Sequence, residues 1–216
     1  MYVKDNMVSS PITIGADASV SEAVDLMSEN KLHRLPVVDG ENHLIGLITE
    51  GVITENTPNN ASSLSVFEIN YLLNKLTIRD IMISDVITIS KDALLEEAAT
   101  ILRKYDIGCL PVVDEENKVI GIITHNDIFS AFIDLLGYNQ NATRYVVNIQ
   151  EDKVGIMEDI ARVFKENDIS ISNIAVYSGI RGLEIVVIGD GYKDITDQLQ
   201  AASYNVTSVM KLRKQY

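Results

Sequence analysis

The sequence predicts a mixed α+β and α/β chain, with two βαββα repeats forming a pseudo-symmetric pair and a βαββαβ domain after them. Three observations carry this. A shift of 75 residues lays "LHRLPVVDGENHLIGLITEGVI" (32–53) on "IGCLPVVDEENKVIGIITHNDI" (107–128) without a gap, with 12 identities in 22 positions. The same shift matches Asp5 to Asp80, Met7 to Met82 and Thr13 to Thr88, and one offset held across two blocks marks a duplication. Charge then breaks near residue 138: residues 1–138 hold 21 Asp and Glu against 9 Lys and Arg, residues 139–216 hold 10 against 9.

The elements follow in order. The first repeat takes residues 1–57. A short strand, "ITI" (12–14), leads to a helix whose inner face carries Val20, Ala23, Val24 and Met27. Ser19 followed by Glu22 is a capping box that starts it. The strands "RLPVVD" and "HLIGLIT" come next, joined by a polar turn at Gly40-Glu41-Asn42, and a second helix starts after Thr49. Three strands bury one face only against a partner, and the second repeat (78–137) is the obvious one. Between them, residues 58–77 predict a capped linker helix: Ser65 and Glu68 form the box, and Ile69, Leu72, Leu73 and Leu76 fall on one stripe. That stripe packs on its own module or makes a subunit contact.

From 138 to 216 the pattern is strand, helix, hairpin, helix, strand. Ile156, Ile160, Val163 and Phe164 line the first helix, and Ile195, Leu199 and Ala202 the second. This is the ferredoxin-like order.

Composition narrows the function classes. The apolar fraction, 46%, suits packed cores, and the single cysteine, Cys109, makes no internal disulfide, which fits a reducing compartment. "MYVKDNMVSSPITIG" lacks a basic stretch followed by an apolar run, and the apolar runs are strand-length. The expectation is a cytoplasmic protein with no membrane partner. A net charge of −13 with no basic face argues against nucleic acid. Three scattered histidines give no readable metal site. No nucleophile with a base, and no paired acid and base, stands at recognisable spacing, so no catalytic residues are expected. A Thr-x-x-Asp at a helix start, Thr124 to Asp127, is by itself as much a cap as a binding motif.

The doubled "LPVVD" and "GIITHND" resemble tandem cystathionine β-synthase (CBS) domains, a Bateman module, over residues 1 to about 137. The resemblance implies non-catalytic repeats that bind adenosyl ligands between the two copies. On this pattern Thr124, at a helix start, favours a phosphate, and the Asp127 carboxylate accepts both ribose hydroxyls. Asn126 and His125 lie beside them; Leu32, His33 and Arg34, with Thr13, complete the site from the other repeat, Arg34 supplying charge for phosphate. The mirror set, Thr49, Thr88, Ile107, Gly108 and Cys109, has Val52 for the aspartate and Cys109 for the arginine. It reads as a degenerate site. Cys109 by itself reads as a small core residue rather than a reactive thiol.

The run "EDKVGIMEDIARVFKENDISISNI" resembles an ACT domain, which implies amino-acid sensing and dimerisation. Asp152, Gly155 and Ser170 hold the positions of a possible ACT ligand site, but the usual proline of the turn is Val154 here and the usual asparagine is Ser170. Repeats, insert and C-terminal domain together are similar to the AcuB type associated with acetoin utilisation. The expectation is a homodimeric sensor of an adenine nucleotide (AMP, ADP or ATP) or of NAD or S-adenosylmethionine. No cofactor is required, Mg²⁺ enters only with nucleotide, and an unidentified partner protein receives the signal. The alternative is a ligand-free interaction or oligomerisation scaffold in which "THND" is only a cap.

Overall fold

The computed structural model describes residues 1–57, 73–179 and 182–214, and its chain forms two compact units, Met1–Ile128 and Phe129–Tyr216. In the first unit a 3₁₀ turn (Val3–Asp5) precedes β1 (Val8–Ser9), β2 (Ile14–Gly15), α1 (Val20–Asn30), β3 (Arg34–Val38), β4 (Leu44–Thr49) and α2 (Glu50–Asn56). The second repeat gives α3 (Ile78–Ile81), β5 (Ile89–Ser90), α4 (Leu95–Tyr105), β6 (Cys109–Val113), β7 (Val119–Thr124) and α5 (His125–Leu135). From β2 through β4 each element has its copy starting 75 residues later. One sheet runs β2-β3-β4, the other β1-β7-β6-β5.

Ser19 and Glu22 form the expected capping box, with the Glu22 amide 3.2 Å from Ser19 Oγ and the Ser19 amide 2.7 Å from Glu22 Oε2. The Ser19 amide and, at 3.0 Å, the Ser19 hydroxyl both donate to Glu22 Oε2 and hold that carboxyl below its usual range. Val20, Ala23 and Met27 are buried with Leu35, Val37, Ile48 and Ile78. Val24 is a correction: it is 38% exposed, at the margin of the apolar stripe. Leu73 and Leu76 pack against this core, as a helix on its own module would; the Ser65 to Glu68 box, Ile69 and Leu72 lie outside the described residues.

The two repeats interlock in a way that a sheet-against-sheet picture misses. β1 belongs to the first repeat by sequence but pairs antiparallel with β7, Val8 opposite Ile122 and Ser9 opposite Gly121. Its counterpart Ile83 exchanges both backbone bonds with Leu47, each 2.9 Å. Asn42 and Asn117, both left-handed, close the symmetry: each amide side chain donates to the opposite repeat, to Val119 O at 2.9 Å and Leu44 O at 3.0 Å.

Gly46 and Gly121 have a packing role here. A Cβ on Gly46 would stand 2.5 Å from Met82 Sδ and 3.1 Å from Ile83 O; on Gly121 it would stand 2.4 Å from Met7 Sδ. Methionine can swing aside, but the Ile83 carbonyl is held in its bridge. Gly46→Ala is therefore expected to cost more than Gly121→Ala, about 1–3 kcal/mol by overpacking. Paired urea melts check the order, and equal costs would contradict it.

The second unit has β8 (Ala142–Ile149), α6 (Ile156–Glu166), β9 (Ile171–Gly179), β10 (Gly182–Asp190), α7 (Thr196–Ala201) and β11 (Asn205–Leu212). The strands lie in the order β11-β8-β10-β9, all antiparallel, which is the βαββαβ arrangement read from the sequence. Ile156, Ile160, Val163 and Phe164 are buried as expected, with Ile195 and Leu199. Ala202 is exposed, because α7 stops at Ala201 and Tyr204 fills the core instead. The units divide at Ile128 rather than at 137, within α5. The later part of that helix sides with the second sheet: Phe132 and Leu136 share a hollow with Arg144 and Ile188, and Asn173 donates to Leu135 O at 2.7 Å.

Candidate functional site

α5 begins where β7 ends, so Thr124 and Asp127 stand at a strand-to-helix step. Thr124 donates to Asp127 Oδ2 from its amide and its hydroxyl, each at 2.7 Å, and the Asp127 amide faces Thr124 Oγ1 at 3.4 Å. This is a reciprocal cap, with both bonds to the carboxylate falling on Oδ2. In the first repeat Thr49 Oγ1 accepts from the Val52 amide at 3.2 Å, and valine offers nothing in return.

A hollow of about 530 Å³ opens beside the Asp127 step. Its walls hold Thr124, His125, Asn126 and Asp127 on one side and Leu32, His33 and Arg34 from the other repeat. Seven of the eight expected residues are thus gathered. Thr13 is not among them; Ser10, Pro11 and Ile12 line the wall instead, because the chain turns at Ser10 (φ 49) after β1 joins the opposite sheet. Asn30 and Lys31 also line it and were missed, and Gly108, expected on the mirror side, lines this one. Lys31 is the left-handed cap of α1 (φ 55), a position that "ENKLH" marks only faintly.

His33 Nδ1 pairs with Glu50 Oε2 at 2.8 Å. Arg34 crosses to the second repeat: a Cβ on Gly108 would lie 2.4 Å from its Nη1, so any side chain there would push the guanidinium aside. The guanidinium also reaches Cys109. Burial pushes that thiol up, with Arg34 opposing.

The mirror set does not assemble. Cys109 is buried in an apolar cluster with Leu47, Ile122 and Val86, and Gly108 serves the Asp127 hollow. Thr88 lines a different hollow, about 560 Å³, with Lys91, Asp92, Asp114, Glu115 and Glu116. Thr49 and Ile107 line neither. Nor are Asp152, Gly155 and Ser170 brought together. Gly155 is left-handed (φ 99) where the chain enters α6, and the Ser170 carbonyl accepts from the Asp190 amide at 2.9 Å at the end of the sheet. The hollow beside that turn, about 320 Å³, is lined by Glu151, Lys153, Asp159 and Tyr204. Both roles are local geometry.

Among the described residues no group of three or more His, Cys, Asp or Glu could hold a metal ion, and no helix is long and apolar enough to cross a membrane.

Comparison with known proteins agrees with the repeat. The CBS domain profile matches residues 3–56 and 78–134. A CBS domain-containing protein of Dictyostelium discoideum is 31% identical over 63% of this chain and 94% of its own length. The L-aspartate semialdehyde sulfurtransferase of Methanocaldococcus jannaschii is 35% identical over 60% of this chain, but the match spans only 23% of that enzyme. Among solved structures, the CBS domain pair of MJ0100 in complex with 5′-methylthioadenosine and S-adenosyl-L-methionine is 32% identical, with a TM-score of 0.51 over 61% of this chain and 95% of that one. CBSX2 in complex with AMP is 27% identical, with a TM-score of 0.51 over 62% and 96%. A structure from Vibrio cholerae assigned to acetoin utilization (AcuB) is 28% identical, with a TM-score of 0.53 over 63% and 93%. With both repeats matched, 111 of 216 residues, the chain belongs to the CBS domain family.

Proposed function

We propose that the chain is a non-catalytic regulatory sensor that binds an adenosyl ligand in the hollow beside Asp127 and passes the signal to a partner protein. The observation that carries this is the convergence of Thr124, His125, Asn126 and Asp127 on Leu32, His33 and Arg34 around one hollow. Adenosyl ligands held by the CBS pairs of MJ0100 and CBSX2 support the class. In this reading the ribose sits on Asp127 and the adenine edge against the Leu32–Arg34 backbone. The second unit is an ACT-like domain through which the chain dimerises in the cytoplasm, and the likeness of 63% of the chain to the AcuB structure supports an output in acetoin or carbon metabolism. The ligand can shift contacts with a partner only by its difference in affinity for two states. The scaffold reading draws on a different observation, that the Thr124 to Asp127 pair already satisfies itself as a cap.

Calorimetric titration with AMP, ADP, ATP, NAD and S-adenosylmethionine tests the sensor. Saturable binding of at least one of them, at one site per chain and competed by adenosine, is expected. Silence with all five overturns the sensor, and the scaffold reading takes its place.

A further inference from the structure

The sheet of the second unit has two unlike faces. Tyr145, Val147 and Ile149 of β8 turn toward α6 and α7 and build the larger core. Their alternates turn the other way, where Val146 packs with Val186, Ile188 and Leu212. Arg144 belongs to that second face, opposite Ile188 of β10 and Met210 of β11. It is a half-buried guanidinium among apolar neighbours.

The end of α5 lies over this face and leaves a hollow of about 460 Å³ against it, walled by Phe132 and Leu136 from the helix and by Ala175, Val186 and Ile188 from the sheet. Arg144 is the one charged side chain among the described residues on its wall. Among the described residues Arg144 has no carboxylate within 4.0 Å, whereas Arg162 on α6 is paired with Glu158 at 3.0 Å. Asn173, also on the wall, is already satisfied: it donates to Leu135 O at 2.7 Å and accepts from Gln140 at 2.9 Å. A hydrogen bond to Glu184 pushes the Tyr177 phenol up, with Arg144 opposing. The hollow therefore offers one permanent positive charge, apolar walls and no carboxylate.

We infer that this hollow binds a small apolar monocarboxylate, with Arg144 taking the carboxylate and the hydrocarbon lying against Ala175, Val186 and Ile188. A guanidinium can present two parallel N–H groups to a carboxylate, and the anion offsets the cost of holding a cation among apolar side chains. The volume falls in the range of small-molecule sites, roughly 300–1,000 Å³. An amino acid with the same hydrocarbon is rejected, because its ammonium would stand near Arg144 with no carboxylate on the wall to meet it. Phosphates and dicarboxylates would strand a second charge against the apolar floor. The hollow shares no residue with the one beside the Gly155 turn, and it does not depend on an adenosyl ligand beside Asp127.

The test is titration of the full chain with isocaproate, isocaproamide and leucine, which share one hydrocarbon and differ in charge. Arg144→Met and Ala175→Leu are titrated beside it, with thermal melts to establish that each is folded. Isocaproate is expected to bind once per chain and about tenfold or more tighter than the amide or leucine, the lower end for one charge-assisted hydrogen bond. Arg144→Met should bring the acid to the affinity of the amide and leave the amide unchanged. Ala175→Leu, which fills the hollow and keeps the charge, should weaken acid and amide together, so the site is tested even if the arginine variant fails to fold. Silence with isocaproate overturns the inference. So does binding of the amide or leucine as tight as that of the acid, or an acid affinity indifferent to a folded Arg144→Met or Ala175→Leu.

Discussion

Tyr145→Ala is expected to cost the second unit about 3–5 kcal/mol, the range for emptying a buried aromatic site. That is a large share of the roughly 5–15 kcal/mol that holds a domain folded. Tyr145 is fully buried at the centre of β8, its ring edge-to-face with Phe164 at 5.5 Å and 88°. Its hydroxyl donates to Lys193 O at 2.6 Å and accepts from the Ile195 amide at 3.3 Å, which pins the loop before α7. Burial pushes the phenol above its ordinary range, so it stays neutral at physiological pH. Tyr145→Phe keeps the ring and strands those two backbone groups, for about 1–3 kcal/mol. Amide hydrogen exchange reads the effect locally: protection should collapse in β8 and β10 and persist in β3 and β4. Unchanged protection in β8 would refute this account of the core.

The duplication made most of the first unit legible. "LPVVD" and "G-h-h-T" fix two strands and a helix start in each copy, and the 75-residue offset returns in every equivalent element. The exchanged edge was not legible. β1 is two residues long, and nothing in "MVSS" says that its hydrogen bonds go to β7 rather than to its own repeat. Short strands take their partners from tertiary context. The same exchange explains the miss at Thr13, since β1 carries Ser10 to Ile12 along the wall of the hollow.

At the site, residue types that chemistry singles out were readable and the geometry that relates them was not. Asp127 and Arg34 announced themselves by charge within apolar strands and helix starts. Lys31 did not, because a lysine after a helix reads as a solvated end until the α1 cap places it on the same wall as Arg34. On the mirror side, read from the sequence as degenerate, Cys109 turns inward with Leu47, Ile122 and Val86, the small core residue that its apolar setting indicated.

Asp127→Ala is expected to weaken the bound adenosyl ligand by about 2–4 kcal/mol, two ribose hydrogen bonds to a charged acceptor at about 1.5–3 each with some overlap. The same variant also removes a cap, worth about 0.5–2 kcal/mol of stability. The two effects have to be separated, because Oδ2 already takes both Thr124 bonds. Asp127→Asn separates them. Its side-chain carbonyl still accepts from Thr124, but the amide group cannot accept from a ribose hydroxyl and the charge is gone. Asparagine should therefore retain most of the stability and lose most of the binding. The first repeat shows that the fold tolerates the simpler cap, since α2 starts from Thr49 with Val52 at the equivalent place. Thermal melts beside calorimetry, on both variants, give the two quantities independently. If asparagine and alanine lower stability but leave ligand affinity unchanged, Asp127 is a cap alone and the ribose must be held elsewhere. A loss of affinity in both, with stability lost chiefly in alanine, assigns the carboxylate to the ligand as well as to the helix.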